Sequence, residues 1–337
     1  MSDIPNSTKS YRIYKGPRPL EGAKLAPKLD HPDGYLVPDR LVDAVNVALI
    51  LGKPLLITGE PGTGKTQLAY SIAQDLKLGV FDKARNQYLP YHFTAKHNSV
   101  AKDLLYTYDS LQHFSEANQA KAEGATIKKA AEFIRFEALG EAIRQADPDW
   151  SNTPKRSVVL IDEIDKAPRE FPNDLLRELE EAKFTVPETG EFFRADRQHL
   201  PIVVITSNAE KILPDAFLRR CTYFHINFPS QERLRQIVKR RLKDYSGVVL
   251  FSDSQITFLL DHFMQIRELC RKKRPATSDL LNWLQILAYY DEFDINKIQL
   301  ISQLKEGERH LLMTTYSVLV KNVDDFERVI SELGLQV

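Results

Sequence analysis

The sequence has few of the residues that build disulfide frameworks and metal sites. Its 337 residues include two cysteines, Cys221 and Cys270, which lie far apart and outside any C-x-x-C pattern. The eight histidines are scattered and form no H-x-x-x-H pair. This composition argues against a structural zinc site and favours a reducing compartment, although a disulfide between the two cysteines stays open.

An excess of charge of either sign and a long apolar run are also missing. Lys plus Arg and Asp plus Glu both number 46, so the formal net charge is zero and no nucleic-acid partner is expected. The longest apolar region, residues 41–58, is interrupted by polar residues and by Pro54, and cannot cross a bilayer as one helix. The first ten residues are polar and lack the apolar core of a signal peptide. We therefore expect a cytoplasmic protein without a membrane span.

Residues 59–66 read GEPGTGKT and fit the phosphate-binding pattern G-x-x-x-x-G-K-[ST]. An apolar run (54–58) precedes them and a segment with helical apolar spacing (67–76) follows, so we predict a strand, a glycine loop and a helix. In this geometry loop N–H groups and the helix N-terminus converge on phosphates, Lys65 reaches the outer phosphates, and Thr66 offers its hydroxyl to Mg²⁺. The candidate nucleotide-binding residues are Gly59, Glu60, Pro61, Gly62, Thr63, Gly64, Lys65, Thr66 and Gln67.

Two further apolar runs end in polar residues suited to nucleotide hydrolysis. Residues 158–161 lead into Asp162, a candidate Mg²⁺ ligand directly or through water, and Glu163, a candidate base for the attacking water. Residues 201–206 lead to Asn208, which could hydrogen-bond the γ-phosphate or that water, or could simply form a turn. These residues predict that a nucleoside triphosphate and Mg²⁺ bind at the carboxyl ends of adjacent strands.

Two adjacent arginines, Arg219 and Arg220, end a short predicted helix ahead of the last strand. As cations at a helix C-terminus they would face water. Alternatively, one of them reaches the γ-phosphate of a neighbouring subunit and stabilises the charge of the transition state. Spacing alone does not separate these two interpretations.

The apolar runs also predict the fold class. Five of them, separated by helices, indicate an α/β core with a mostly parallel five-stranded sheet: residues 54–58, 91–94, 158–161, 201–206 and 223–228. Residues 99–140 are predicted to be mostly helical, 172–182 to be a helix, 184–193 a hairpin and 11–14 a short strand. From residue 230 onward only helices are predicted, at 233–242, 254–269 and 278–290, with two more within 295–335. The predicted domains are an N-terminal extension (1–34), an α/β nucleotide-binding domain (35–228) and a helical region (229–337).

In their order and spacing, the motifs GEPGTGKT, LIDEIDKA, VVITSNAEK and LPDAFLRRC resemble those of the AAA+ ATPases. Further phrases, such as GYLVP and FPNDLL, are most similar to the MoxR-like branch, and the resemblance covers about residues 34–295. It implies a P-loop core followed by an all-α lid. It also implies that ATP and Mg²⁺ bind at the subunit interfaces of a homo-oligomeric ring, hexameric in the family.

The resemblance also implies a role for each matching residue. Lys65 and Thr66 match Walker A, Asp162 and Glu163 match Walker B, and Asn208 matches sensor 1. Arg220 matches the arginine finger, with Arg219 as the alternative, and Tyr35, Leu36 and Val37 would lie against the adenine. The lid helix expected to carry a sensor 2 arginine opens without one at residues 275–280, so either Lys273 or Arg274 substitutes or sensor 2 is absent.

By resemblance, hydrolysis would remodel or activate a partner protein, possibly one with a von Willebrand factor A domain. Tyr106 and Tyr108 lie in a segment that faces the ring pore in this clade and could grip that partner, although core packing is favoured for Tyr106. Two other classes stay open. One is a nucleic-acid motor or a GTPase subunit of a restriction-type system, since the loop does not read the base. The other is a nucleotide-gated assembly switch, against which Glu163 argues because a switch needs no catalytic base.

Overall fold

The computed structural model describes residues 32–208, 211–246, 251–289 and 294–335. The predicted strand at 11–14 and most of the N-terminal extension lie outside the described residues. The chain divides into two compact units, one of residues 35–227 and one that joins residues up to Gly34 with those from Phe228 onward.

The first unit alternates short strands with helices. Its strands are β1 (Leu55–Gly59), β2 (Val80–Asp82), β3 (Gln87–Leu89), β4 (Tyr91–Thr94), β5 (Tyr106–Tyr108), β6 (Ile134–Phe136), β7 (Val158–Asp162), β8 (Lys183–Val186), β9 (Glu191–Arg194), β10 (Ile202–Ser207) and β11 (Thr222–Ile226). Its α-helices are α1 (Asp39–Leu51), α2 (Lys65–Leu76), α3 (Ser110–Glu123), α4 (Ala138–Gln145), α5 (Phe171–Asp174), α6 (Leu176–Glu181) and α7 (Asp215–Leu218). Short 3₁₀ turns occur at Ala101–Leu104, Ala130–Phe133, Ile164–Lys166 and Arg197–His199.

Five of these strands form one parallel sheet in the order β11-β1-β10-β7-β4. They are the five strands predicted from the apolar runs, so the predicted α/β fold class is confirmed. Because every strand is parallel, all five carboxyl ends lie along one edge of the sheet. The order places β7 between β10 and β4, which brings the polar residues that end these three strands next to one another.

Both faces of the sheet are buried, as the continuous apolar strands require. Along β1 the side chains alternate: Leu55 and Ile57 pack with residues of α1 and α2, and Leu56 packs into the cluster on the opposite face. That opposite cluster includes Leu139 and Phe217 from α4 and α7. Helices thus cover both faces of the sheet and hold its strands, including their carboxyl ends, in place.

The prediction for residues 99–140 is incomplete. Besides α3 and the two 3₁₀ turns, this region contains β5 and β6, which pair antiparallel, as β2 and β3 also do. Strands of three residues are too short to show a period of two in the sequence. The helix predicted over 172–182 is divided at Leu175 into α5 and α6, and the hairpin predicted over 184–193 is confirmed as β8 and β9.

The second unit is helical, as predicted. It contains α8 (Gln231–Ser246), α9 (Asp253–Leu269), α10 (Thr277–Tyr289), α11 (Glu306–Thr315) and α12 (Val323–Glu332), with 3₁₀ segments at Pro32–Gly34, Ile295–Gln303 and Tyr316–Val318. Trp283 and Tyr316 are fully buried at its centre. Among the described residues, no helix has the length and apolar character needed to cross a membrane.

Candidate active site

The glycine loop lies between the end of β1 and the start of α2, as predicted, and its conformation requires glycine. Gly59 has φ 152°, and a β-carbon there would lie 2.5 Å from the carbonyl oxygen of Ile226. Gly64 has φ 89°, and a β-carbon there would lie 2.8 Å from Cε2 of Tyr35. The loop is thus packed between β11 and Tyr35, with the N-terminus of α2 directed into it.

Lys65 is buried, and its amine lies inside the loop. Nζ donates to the carbonyl oxygens of Gly59 at 2.8 Å and Glu60 at 2.9 Å. Burial lowers the pKa of Lys65, although the nearby carboxylates of Asp162 and Asp165 oppose that shift. The amine can therefore exchange two loop carbonyls for phosphate oxygens without leaving the loop.

Asp162, the last residue of β7, is the polar centre of the site. Its Oδ1 accepts hydrogen bonds from Thr66 Oγ1 at 3.1 Å and from Thr206 Oγ1 at 2.5 Å, and its Oδ2 lies 3.6 Å from Nε2 of His92. Burial raises the pKa of this carboxyl, but the interactions with these three side chains outweigh burial and hold the pKa below its usual value. The group is therefore a carboxylate at neutral pH.

The donor set around Asp162 fits Mg²⁺. Thr66 contributes a hydroxyl oxygen within hydrogen-bonding distance of the carboxylate, and Mg²⁺ takes such hard oxygen ligands together with water and phosphate oxygens. Thr66 is the second residue of α2, so both candidate ligands lie beside the phosphate-binding loop.

Glu163 follows Asp162 in a left-handed backbone conformation, with φ 58° and ψ 46°. This conformation costs a non-glycine residue about 1–2 kcal/mol and is stabilised by the hydrogen bond from its N–H to Thr206 Oγ1 at 2.9 Å. Its carboxylate Oε2 lies 2.6 Å from Nζ of Lys166. The turn directs the candidate base away from the line of the strand.

Asn208 lies just beyond β10 on the same edge of the sheet. Its backbone N–H donates to Oδ1 of Asp165 at 3.2 Å, and Asp165 is buried. Sequence reasoning missed three residues that organise this edge: His92, Asp165 and Thr206. Each lies near or just past the carboxyl end of a strand, which is the only signal that could have pointed to them.

The two candidate arginines lie at the opposite edge of the sheet. The N–H of Thr222 donates to Pro54 O at 2.8 Å, so the residues just before β11 lie at the amino end of β1. The five residues of β1 span roughly 17 Å, which is longer than an arginine side chain. Arg220 Nε donates to Glu180 Oε1 at 2.6 Å, and Arg219 is exposed. The structure therefore does not bring either arginine to the glycine loop of the same chain.

The remaining predicted residues are divided between the two units. Tyr35, Leu36 and Val37 are half-buried in the first unit, where the Tyr35 ring lies against Gly64. Lys273 and Arg274 belong to the helical unit and are exposed between α9 and α10.

Part of the chain is similar to known proteins. Residues 54–221 match the model of the AAA domain (dynein-related subfamily). Among solved structures, the chain matches NtrX from Brucella abortus, determined in complex with ADP, at 14% identity and a TM-score of 0.45. That alignment covers 90% of this chain and 70% of NtrX. No curated protein matches the chain.

Proposed function

We propose that the chain is an AAA+ ATPase of the MoxR-like branch that hydrolyses ATP with Mg²⁺, and the match of residues 54–221 to the model of the AAA domain supports this. One observation carries this proposal: the hydrogen bond between Thr66, in the phosphate-binding motif, and Asp162, in the acidic motif. These two residues lie 96 positions apart in sequence. Their contact creates a place where phosphate, a divalent cation and a base can meet.

Each residue has a distinct task in this proposal. The loop N–H groups and the amine of Lys65 bind and neutralise the phosphates. Thr66 and Asp162 would hold Mg²⁺, which supplies further positive charge against the phosphate oxygens. Glu163 accepts a proton from the attacking water, after exchanging its contact with Lys166. Asn208 would orient that water or the γ-phosphate.

The proposed arginine finger acts between copies of the chain. Arg220 precedes β11 at the amino edge of the sheet, too far from its own glycine loop to contact a phosphate bound there. A neighbouring copy would therefore receive it, in a ring that is hexameric in the family. Arg220 would leave its ion pair with Glu180, which is half-exposed and so costs little to break.

The proposed output is remodelling or activation of a partner protein. The resemblance to the MoxR-like branch supports this output and suggests a partner with a von Willebrand factor A domain. A cytoplasmic location stays a prediction from the sequence.

Equilibrium binding of a fluorescent ATP analogue tests the nucleotide site. Lys65→Ala should lower affinity at least 100-fold, because it removes the buried amine of the loop. Lys121→Ala, which changes an exposed lysine on α3, is the matched control and should bind like the wild type. If Lys65→Ala bound the ATP analogue with wild-type affinity, the proposed nucleotide site would be wrong. Competition by GTP stronger than by ATP would favour the restriction-type GTPase instead.

A further inference from the structure

His92 contacts Asp162 from the neighbouring strand. It lies on β4, which pairs with β7 so that His92 is opposite Leu160 and Thr94 is opposite Asp162. The imidazole Nε2 is 3.6 Å from Asp162 Oδ2, slightly longer than a hydrogen bond, and 3.2 Å from Thr94 Oγ1. The side chain of His92 is about one-third exposed, at 33%.

Tyr70 fixes the other side of the same ring. Its hydroxyl lies 3.2 Å from Nδ1 of His92, and the two rings meet edge to face with centroids 6.2 Å apart. Tyr70 follows Thr66 by four residues on α2, so both point from one face of that helix. Helix α2 therefore reaches Asp162 twice, directly through Thr66 and indirectly through Tyr70 and His92.

The charge on Asp162 determines which nitrogen of His92 carries the proton. A carboxylate only accepts hydrogen bonds, so the nitrogen that faces it must be Nε2–H. Nδ1 is then the acceptor, and the Tyr70 hydroxyl donates to it. In this tautomer Nε2–H points between Thr94 Oγ1 and Asp162 Oδ2.

We infer that His92 is a positioning residue that orients the Asp162 carboxylate for Mg²⁺, and that Tyr70 sets the tautomer and orientation of His92. This inference rests on the proposed function. Thr206 binds Oδ1, and the Thr66 hydroxyl, a proposed Mg²⁺ ligand itself, lies 3.1 Å from Oδ1 and 3.3 Å from Oδ2. His92 therefore contacts Oδ2 from a side chain that is not a proposed metal ligand. Partners of this kind change metal affinity by about 10- to 100-fold when they are removed.

The test measures binding of a fluorescent ADP analogue, first in EDTA and then across a titration with Mg²⁺. His92→Leu should keep the wild-type affinity for the ADP analogue in EDTA. It should need about a 10-fold higher Mg²⁺ concentration to reach half of the Mg²⁺-dependent change in binding. His92→Gln should recover most of the difference, because its amide N–H can donate from nearly the position of Nε2. Tyr70→Phe should shift the Mg²⁺ requirement in the same direction by a smaller factor. His97→Leu, an exposed histidine five residues away, is the matched control and should behave like the wild type.

Several outcomes would overturn the inference. One is an unchanged Mg²⁺ requirement in His92→Leu while the wild type binds nucleotide with Mg²⁺. Another is an equal loss of affinity in EDTA and in Mg²⁺ together with a lower melting temperature, which would assign His92 to packing alone. If His92→Leu does not fold, Tyr70→Phe decides, and an unchanged requirement there overturns the inference. A wild type that binds no nucleotide contradicts the proposed function itself.

Discussion

Gly64 shows how strongly a single residue constrains the phosphate-binding loop. Its φ of 89° disfavours every residue with a β-carbon, and the ring of Tyr35 fills the space that a β-carbon would need. The loop is held from the side as well as by its own turn. Tyr35, which the family resemblance assigns to the adenine, thus also lies against the backbone of this loop.

Gly64→Ala should therefore lower nucleotide affinity at least 10-fold and destabilise the first unit by about 1–3 kcal/mol. Binding of the fluorescent ATP analogue and urea unfolding measure the two effects. Gly124→Ala is the matched control, since Gly124 has φ 66° but no atom within 4 Å of its β-carbon position. That variant should lose some stability and bind nucleotide normally. Equal binding by both variants would show that the contact with Tyr35 does not shape the loop.

The sequence predicted some residues of the site and not others for a physical reason. Lys65, Thr66 and Asp162 belong to motifs whose chemistry can be read locally. Thr206 and His92 act only because β10 and β4 flank β7, and the order of strands in a sheet is not written in any one of them. The short contact between Thr206 and Asp162 spans 44 residues of sequence.

At the scale of elements, the helical unit is stabilised by a buried polar pair. His262 on α9 shares a short hydrogen bond of 2.5 Å with the hydroxyl of Tyr316 and stacks on Trp283 of α10. Burial lowers the pKa of His262 to about 4, from an ordinary value of 6.5. The imidazole is therefore neutral in the folded protein across the physiological range.

The helical unit should lose stability in acid. Below pH 6.5 the unfolded chain binds a proton that folded His262 does not, so stability is complete above pH 6.5 and falls as the pH drops toward 4. The loss approaches about 3 kcal/mol. Urea unfolding followed by tryptophan fluorescence measures it, because Trp283 contacts the histidine.

His262→Gln can still bond to Tyr316 but does not titrate, so it should flatten the pH dependence. His310→Gln, at an exposed position on α11, is the matched control and should keep the wild-type slope. If the free energy of unfolding depended on pH identically in all three proteins, His262 would not be the cause of the loss of stability in acid.

Elements were predictable in proportion to their length. The five sheet strands and the long helices of the second unit carry enough apolar residues to show their period. The strands β2, β3, β5 and β6 have three residues each, and only their partners in space define them. Tyr106, on β5, is buried, and its hydroxyl donates to Glu188 at 2.8 Å. These contacts support core packing for Tyr106 over contact with a partner protein.

At the scale of the whole molecule, the proposed function needs residues from two copies of the chain. Lys65, Asp162 and Glu163 meet at the carboxyl edge of the sheet, whereas Arg219 and Arg220 lie at the amino edge. In the proposed function, a mutant that lacks Glu163 and a mutant that lacks Arg220 would therefore damage different halves of a shared site. Such mutants can complement each other only if two copies build one site.

The most direct measurement is ATP turnover by Arg220→Ala, by Glu163→Gln and by their equimolar mixture. Each single variant should bind ATP but hydrolyse it at least 100-fold more slowly than the wild type, because each lacks one catalytic group. Arg219→Ala is the matched control and should stay near the wild-type rate. The mixture should recover activity, since some interfaces pair an intact Glu163 with an intact Arg220. A mixture as slow as its components would contradict a site shared between two copies of the chain.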